Sequence, residues 1–182
     1  MKTFSKILLT SLIAASLSAC TDDEHPVVMV ENSYLRVLHA AADAPKVNVW
    51  LDGKPALEGV DYQQTSGAIK VTAGKHTVQV DAILPDGSTL TVIPETTLDL
   101  AKDMEYNVVA LGKAALIGTG EAAEFGPAII SRSALTPEGV RVQAIHAAPD
   151  APVVDIFITE PNADLSAATP FADDVPYKAN TE

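Results

Sequence analysis

His39-Ala-Ala-Ala-Asp43-Ala-Pro45-Lys-Val47-Asn-Val49-Trp50-Leu51 decides the reading of this chain, because it returns as His146-Ala-Ala-Pro-Asp150-Ala-Pro152-Val-Val154-Asp-Ile156-Phe157-Ile158, 107 residues later. That period is too long for a solenoid repeat and suits two copies of one small domain. Each copy opens with an apolar strand running into the His: Tyr34-Leu-Arg-Val-Leu38 in the first, Val140-Arg-Val-Gln-Ala-Ile145 in the second. A residue before proline is pushed out of the α region, and Asp can bond nearby backbone N–H groups, so Asp-Ala-Pro reads as a stiff turn. The strand after it alternates. Val47, Val49 and Leu51 fall on one face, and Asn48, Trp50 and Asp52 on the other, the period of a half-buried strand.

Outward from this core the pattern stays β. Asp52-Gly53 is a hairpin signal, since glycine accepts the positive φ of a tight turn, and Pro55 in the returning strand argues for an edge. Ala73-Gly74 and Pro85-Asp86-Gly87 mark further turns. Leu90-Thr-Val-Ile93 and Thr96-Thr-Leu-Asp-Leu100 read as a strand pair broken at Pro94. No stretch sustains a 3.6-residue period; residues 114–116 and 165–168 are at most single helical turns. Short apolar runs punctuated about every ten residues are the pattern of a β-sandwich.

The motif His-Ala-Ala-Xaa-Asp-Ala-Pro, followed by Val-Asn/Asp-Val/Ile-Trp/Phe, resembles the opening of the DUF4397 family, a domain of unknown function in exported bacterial proteins. Thr72-Ala73-Gly74-Lys75-His76-Thr77-Val78-Gln79-Val80 resembles the strand–turn–strand segment of the same family. The likeness covers about residues 34–112 of the first copy and the opening of the second. It implies an all-β, immunoglobulin-like or transthyretin-like antiparallel sandwich at the cell surface, and it transfers no catalytic residue.

The N-terminus carries Lys2 and Lys6, an apolar run from Ile7 to Leu17, and then Ser18-Ala19-Cys20. This reads as an export signal whose apolar segment is too short to span a bilayer. Leu-Ser-Ala-Cys resembles the bacterial lipobox, in which the cysteine receives a diacylglycerol. Cys20 is the only cysteine in the chain, so no intrachain disulfide competes for it. Thr21 stands where an aspartate usually marks inner-membrane retention, so the resemblance favours the outer membrane, with the face unresolved.

The expected organisation is a lipoprotein signal peptide over residues 1–19, the lipidated cysteine and a tether over 20–33, and a first sandwich over 34–134. A linker follows over 135–139, and a partial second module over 140–182. Val175-Pro-Tyr177 aligns with Val60-Asp-Tyr62, but the strands that would match residues 68–111 are missing. Half a sandwich cannot bury its apolar face. The sequence therefore reads as a piece of a longer protein, or else these strands pack on the first domain or pair with another molecule.

A hydrophobic fraction of 47% in 182 residues is ample for a core. The net charge of −12 becomes two units more negative once a leader bearing Lys2 and Lys6 is removed, which argues against nucleic-acid partners. His39 with Asp43, and His146 with Asp150, are the only His–carboxylate pairs at matched spacing. Hydrolysis would also need a nucleophile, and neither a Gly-Xaa-Ser-Xaa-Gly elbow nor a free catalytic cysteine is present. Metal binding would need at least three ligands. The favoured reading makes His39, Asp43 and Pro45, with His146, Asp150 and Pro152, a structural corner in which the imidazole bonds to the Asp or to backbone. Trp50 and Phe157 occupy equivalent positions and are candidates for stacking on a sugar, with burial beneath the second sheet or a loop as the commoner fate of such an aromatic.

The expected function is thus a non-catalytic, lipid-anchored envelope module for attachment, ligand binding or an architectural role, with no cofactor or metal. Its partners would be the membrane, through the lipid, and an unidentified protein or glycan. The alternatives are a metal-dependent or hydrolytic enzyme using the His–Asp pairs, and a periplasmic assembly factor.

Overall fold

A computed structural model describes residues 30–181. The signal peptide, Cys20 and most of the tether lie outside the described residues. Strands β1 (Asn32–His39), β2 (Val47–Leu51), β3 (Lys54–Val60), β4 (Ile69–Thr72), β5 (Gly74–Ile83), β6 (Thr89–Leu100), β7 (Met104–Leu111) and β8 (Gly126–Ser133) come first in chain order. They form two four-stranded sheets, β4-β1-β7-β8 and β3-β2-β5-β6. After them come only two short strands, β9 (Val154–Ile156) and β10 (Ala172–Val175), paired with each other.

Alternation decides the faces. Along β1, Ser33, Leu35, Val37 and His39 are buried while their neighbours are half-buried. Val47 and Val49 from β2, and Val78 and Val80 from β5, meet them in a core that Val108, Ala110 and Phe125 complete. Each of the valine, leucine and phenylalanine side chains among these contributes roughly 1.5–3 kcal/mol by leaving water. The first strand starts at Asn32, two residues earlier than the sequence boundary of 34.

The sandwich is all-β as expected, but it is not wholly antiparallel, because β1 and β7 run parallel from Tyr34↔Glu105 to His39↔Ala110. Alternation fixes which face a side chain takes and says nothing about the neighbouring strand's direction. Asp52 (φ 51°) and Gly53 (φ 69°) both take positive φ at the β2–β3 hairpin, and β3 lies at a sheet edge. The expected break at Pro94 is also corrected. β6 continues through it, with two residues opposed to one between the pairs Val78↔Thr96 and Val80↔Ile93. As an edge strand, β6 tolerates a residue that cannot donate there. Gly112 (φ 99°) follows β7 at a close backbone approach, where an added Cβ would lie 2.3 Å from the Glu124 carbonyl oxygen.

Residues 140–145, expected as a strand, do not form one; only Ile145 makes an isolated bridge, to Asn180. In the first copy the matching strand is held between β4 and β7, and the second copy has no counterpart of either among the described residues. The segment instead runs back along β8: Arg141 donates to the Ser133 carbonyl at 2.7 Å, and Gln143 to that of Ser131 at 3.4 Å. Ile145, Ala147 and Tyr177 pack on Val109, Leu111 and Ile130, on the face of the sheet away from the main core. The second copy therefore does lean on the first domain. No helix among the described residues is long and apolar enough to cross a membrane.

Candidate functional site

The two corners superpose bond for bond. His39 Nε2 lies 3.0 Å from the Pro45 carbonyl and His146 Nε2 2.9 Å from that of Pro152. A carbonyl only accepts, so Nε2 carries the proton in both rings. Nδ1 then accepts the backbone N–H two residues on, from Ala41 at 3.4 Å and from Ala148 at 3.3 Å. The main chain of each His is clamped as well. His39 donates to Gln64 and accepts from Gln63, at 3.0 and 2.9 Å, while His146 does so with Ala179 and Lys178 at the same distances. Gln63 (φ 65°) and Lys178 (φ 70°) both take positive φ to make this clamp. An aromatic edge completes each corner: Tyr62 lies 6.5 Å from the His39 ring, and Tyr177 6.2 Å from the His146 ring. The Tyr62/Tyr177 alignment was visible in the sequence. The strained residue after each Tyr carried no such signal.

The carboxylates go elsewhere. Asp43 accepts the backbone N–H groups of Ala114, at 3.0 Å, and Ala115, at 3.4 Å, and so caps the 3₁₀ turn Ala114–Leu116. Asp150 pairs with the ammonium of Lys113, next to that turn. Neither touches its own His, and of the two options open at the sequence level the imidazoles take the backbone. The His–carboxylate pair that does form was not foreseen: His76 Nδ1 meets Asp52 Oδ2 at 2.7 Å across the β2–β5 boundary. The hydrogen bond to Asp52 raises the His76 pKa above its ordinary value. Asp52 is lowered, first by the Thr77 backbone N–H it accepts and then by His76. No group of three or more His, Cys, Asp or Glu suited to a metal is present among the described residues.

Between the corners lies a cleft of about 1090 Å³. Leu38, His39 and Lys113 form one wall, and Ile145, Val154 and Ile156 the other. The Tyr177 hydroxyl is buried without a hydrogen-bond partner among the described residues, and burial raises its pKa.

Trp50 sits on the outer face of its sheet, half-buried opposite Gln79. It lines a depression of about 180 Å³ with Thr77, Gln79, Asp81 and Glu95. Its indole N–H is buried and has no hydrogen-bond partner among the described residues. Asp81, only 7% exposed, accepts from Gln79 and Thr91 through the same oxygen, Oδ1. Phe157 is half-buried just beyond β9 and shares no such depression.

A mixed β-sandwich with a repeated His corner and an apolar cleft at one end is the class of protein these features define. The chain belongs to the family described as Domain of unknown function (DUF4397), whose model matches residues 33–157. The match runs past β8 and ends just after β9, so it takes in both walls of the cleft. No curated protein matches the chain. Among solved structures it is similar to a non-hemolytic pneumolysin from Streptococcus pneumoniae strain ST306, at 17% identity. That likeness covers 57% of this chain and 24% of the other, with a TM-score of 0.33, too low to carry an argument about fold or function.

Proposed function

We propose that this protein is a non-catalytic envelope module, held to the bacterial outer membrane by lipid on Cys20, that works through the surface it presents. Its two corners mark tandem DUF4397-like modules, the second one partial here. One observation carries the non-catalytic part: both nitrogens of His39 and of His146 are taken up by main-chain partners. An imidazole so committed offers neither a lone pair nor a proton to a substrate. With the Asp partners engaged elsewhere, the pairs are framework, and attachment, ligand binding or architecture falls to the cleft and to the Trp50 face.

Two experiments test this. Cells fed an alkyne fatty acid should label the wild-type protein and not Cys20→Ala; an unlabelled wild type removes the tether. A glycan array of the soluble domain tests the Trp50 face for sugars, and flat signals remove that ligand class. The assembly-factor reading keeps one supporting observation, the edge of β9 that pairs with no strand among the described residues.

A further inference from the structure

We infer that the depression beside Trp50 binds an organic cation carrying N–H donors, an alkylammonium or guanidinium head, held between two carboxylates and the indole ring. The inference rests on the reading of the Trp50 face as a ligand-binding surface and names what that face takes. All the lining residues belong to the first sandwich, in and between the strands of the β3-β2-β5-β6 sheet.

The backbone builds the depression. β2 and β5 pair without a break from Val47↔Ala82 to Leu51↔Val78, with Trp50 opposite Gln79. Both flanking ladders shift register beside that row. β3 does so between Val49↔Leu57 and Trp50↔Pro55, and β6 between Val78↔Thr96 and Val80↔Ile93. A bulge re-aims the side chains around it. The one in β6 sets Pro94 and Glu95 against Gln79, and Glu95 joins Trp50, Thr77, Gln79 and Asp81 around a space of about 180 Å³.

The chemistry of the lining selects the occupant. Asp81 is 7% exposed, and its Oδ1 accepts from the Gln79 amide at 2.9 Å and the Thr91 hydroxyl at 2.8 Å. Its Oδ2 takes no hydrogen bond among the described residues and is not sealed from solvent. Neither Asp81 nor Glu95 pairs with a cation among the described residues, and no Lys or Arg lines the depression. A carboxylate so deeply placed without a counter-charge is costly, and a bound cation relieves that cost. The Gln79 amide nitrogen already donates to Asp81, and the Trp50 N–H is buried out of an occupant's reach, so Trp50 offers its ring. The open groups are thus mainly acceptors, with two negative charges beside an aromatic ring. Ammonium and guanidinium heads donate and never accept, and both are attracted to an indole ring they lie over. A sugar hydroxyl brings an acceptor with each donor and carries no charge, so it matches this lining less well.

Trp50 is the only tryptophan in the chain, so its emission reports on this site alone. The full chain is titrated with n-butylammonium and n-butylguanidinium chloride in phosphate buffer, with n-butanol as the neutral control and sodium chloride as the ionic-strength control. A saturable shift in emission is expected from both cations and from neither control. Glu95→Gln, exposed on an edge strand, should weaken binding about tenfold or more. Glu58→Gln, which removes an exposed acid on β3 outside the depression, should leave it unchanged. The peptide acetyl-Gly-Lys-Gly-amide saturating below butylammonium assigns the head to a partner polypeptide, and the reverse order to a free amine; either supports the site. No saturable shift with either cation, an equal shift with butanol, or equal loss in both variants overturns the proposal. So does calcium chloride giving the same shift at lower concentration, which makes the site a metal's. A sugar hit on the glycan array that Glu95→Gln abolishes overturns the cation but keeps the ligand-binding reading of the face, so the two fail separately.

Discussion

The corner at His39 and the corner at His146 are tied by the same four hydrogen bonds and both line the cleft, but among the described residues only the first stands on a closed core. His39 is 0% and His146 6% exposed, so the ring is buried in both; what differs is its surroundings. The corner is built from residues close in sequence, with one clamp from the strand that returns to it, and forms wherever those are present. Burial of Leu35 or Val49 needs strands far along the chain, and the second copy has no counterpart of these among the described residues. A local motif can therefore form without the long-range strand pairs that close a core around it.

Matched substitutions in the two copies sharpen that contrast. The largest effect is expected from Leu35→Ala, about 2–5 kcal/mol for a buried truncation. Its counterpart Val142→Ala should stay within about 0.5 kcal/mol in urea unfolding, as for an exposed site. Comparable losses would mean that the second copy is as tightly packed as the first. Next comes His39→Ala, expected to cost about 2–4 kcal/mol because it orphans a buried carbonyl and N–H. His146→Ala should cost about 1 kcal/mol or less globally and appear instead as faster amide exchange at Lys178. A preserved melting point with a lost binding activity in His39→Ala would overturn the scaffold reading of that residue.

The carboxylates give a smaller pair of effects. Asp43→Ala should cost about 1 kcal/mol by uncapping two backbone N–H groups. Asp150→Ala, which breaks an exposed ion pair, should cost less than about 0.5 kcal/mol. Thermal melts of the two variants side by side check the order.

The smallest effect is electrostatic and belongs to the first copy alone. His76 is raised, so its contribution is complete below its ordinary value of 6.5 and fades as the pH climbs through the raised folded value. Asp52 is lowered, so its share is present above 3.8 and lost as the pH falls through its lowered folded value. The pair thus stabilises most between those limits. The difference in melting temperature between wild type and His76→Gln should be widest near pH 5–6 and narrow toward pH 8; a difference that does not change with pH would show that the pair contributes no charge-dependent stability.

How much of this was legible varied with the range of the interaction. The alternation of Val47, Val49 and Leu51, the Asp52-Gly53 hairpin and the edge position signalled by Pro55 all rest on near neighbours in sequence. The parallel pairing of β1 with β7 does not. Nor do the reach of Asp43 to Ala114 and the meeting of Asp52 with His76, each made across strands whose order the pattern leaves open. At the corner, spacing brought out the His, Asp and Pro but invited pairing the His with its own Asp. Both carboxylates point instead toward the loop after β7, whose position depends on the parallel strand. The failed strand over residues 140–145 has the same origin, since its pattern is that of β1 but a strand also needs neighbours.

The row Tyr34, Glu105 and Arg132 marks one end of the β1-β7-β8 sheet, and the row His39, Ala110 and Pro127 the other. Seven residue steps of β1 separate Asn32 from His39, a span of about 23 Å at the rise of a strand. The chain therefore enters β1 at the foot of the sheet, and the opening between the two corner imidazoles lies at the head. Lengthening or trimming β1 and its neighbours in step would raise or lower that opening, like a post, relative to the point where the chain enters the sheet.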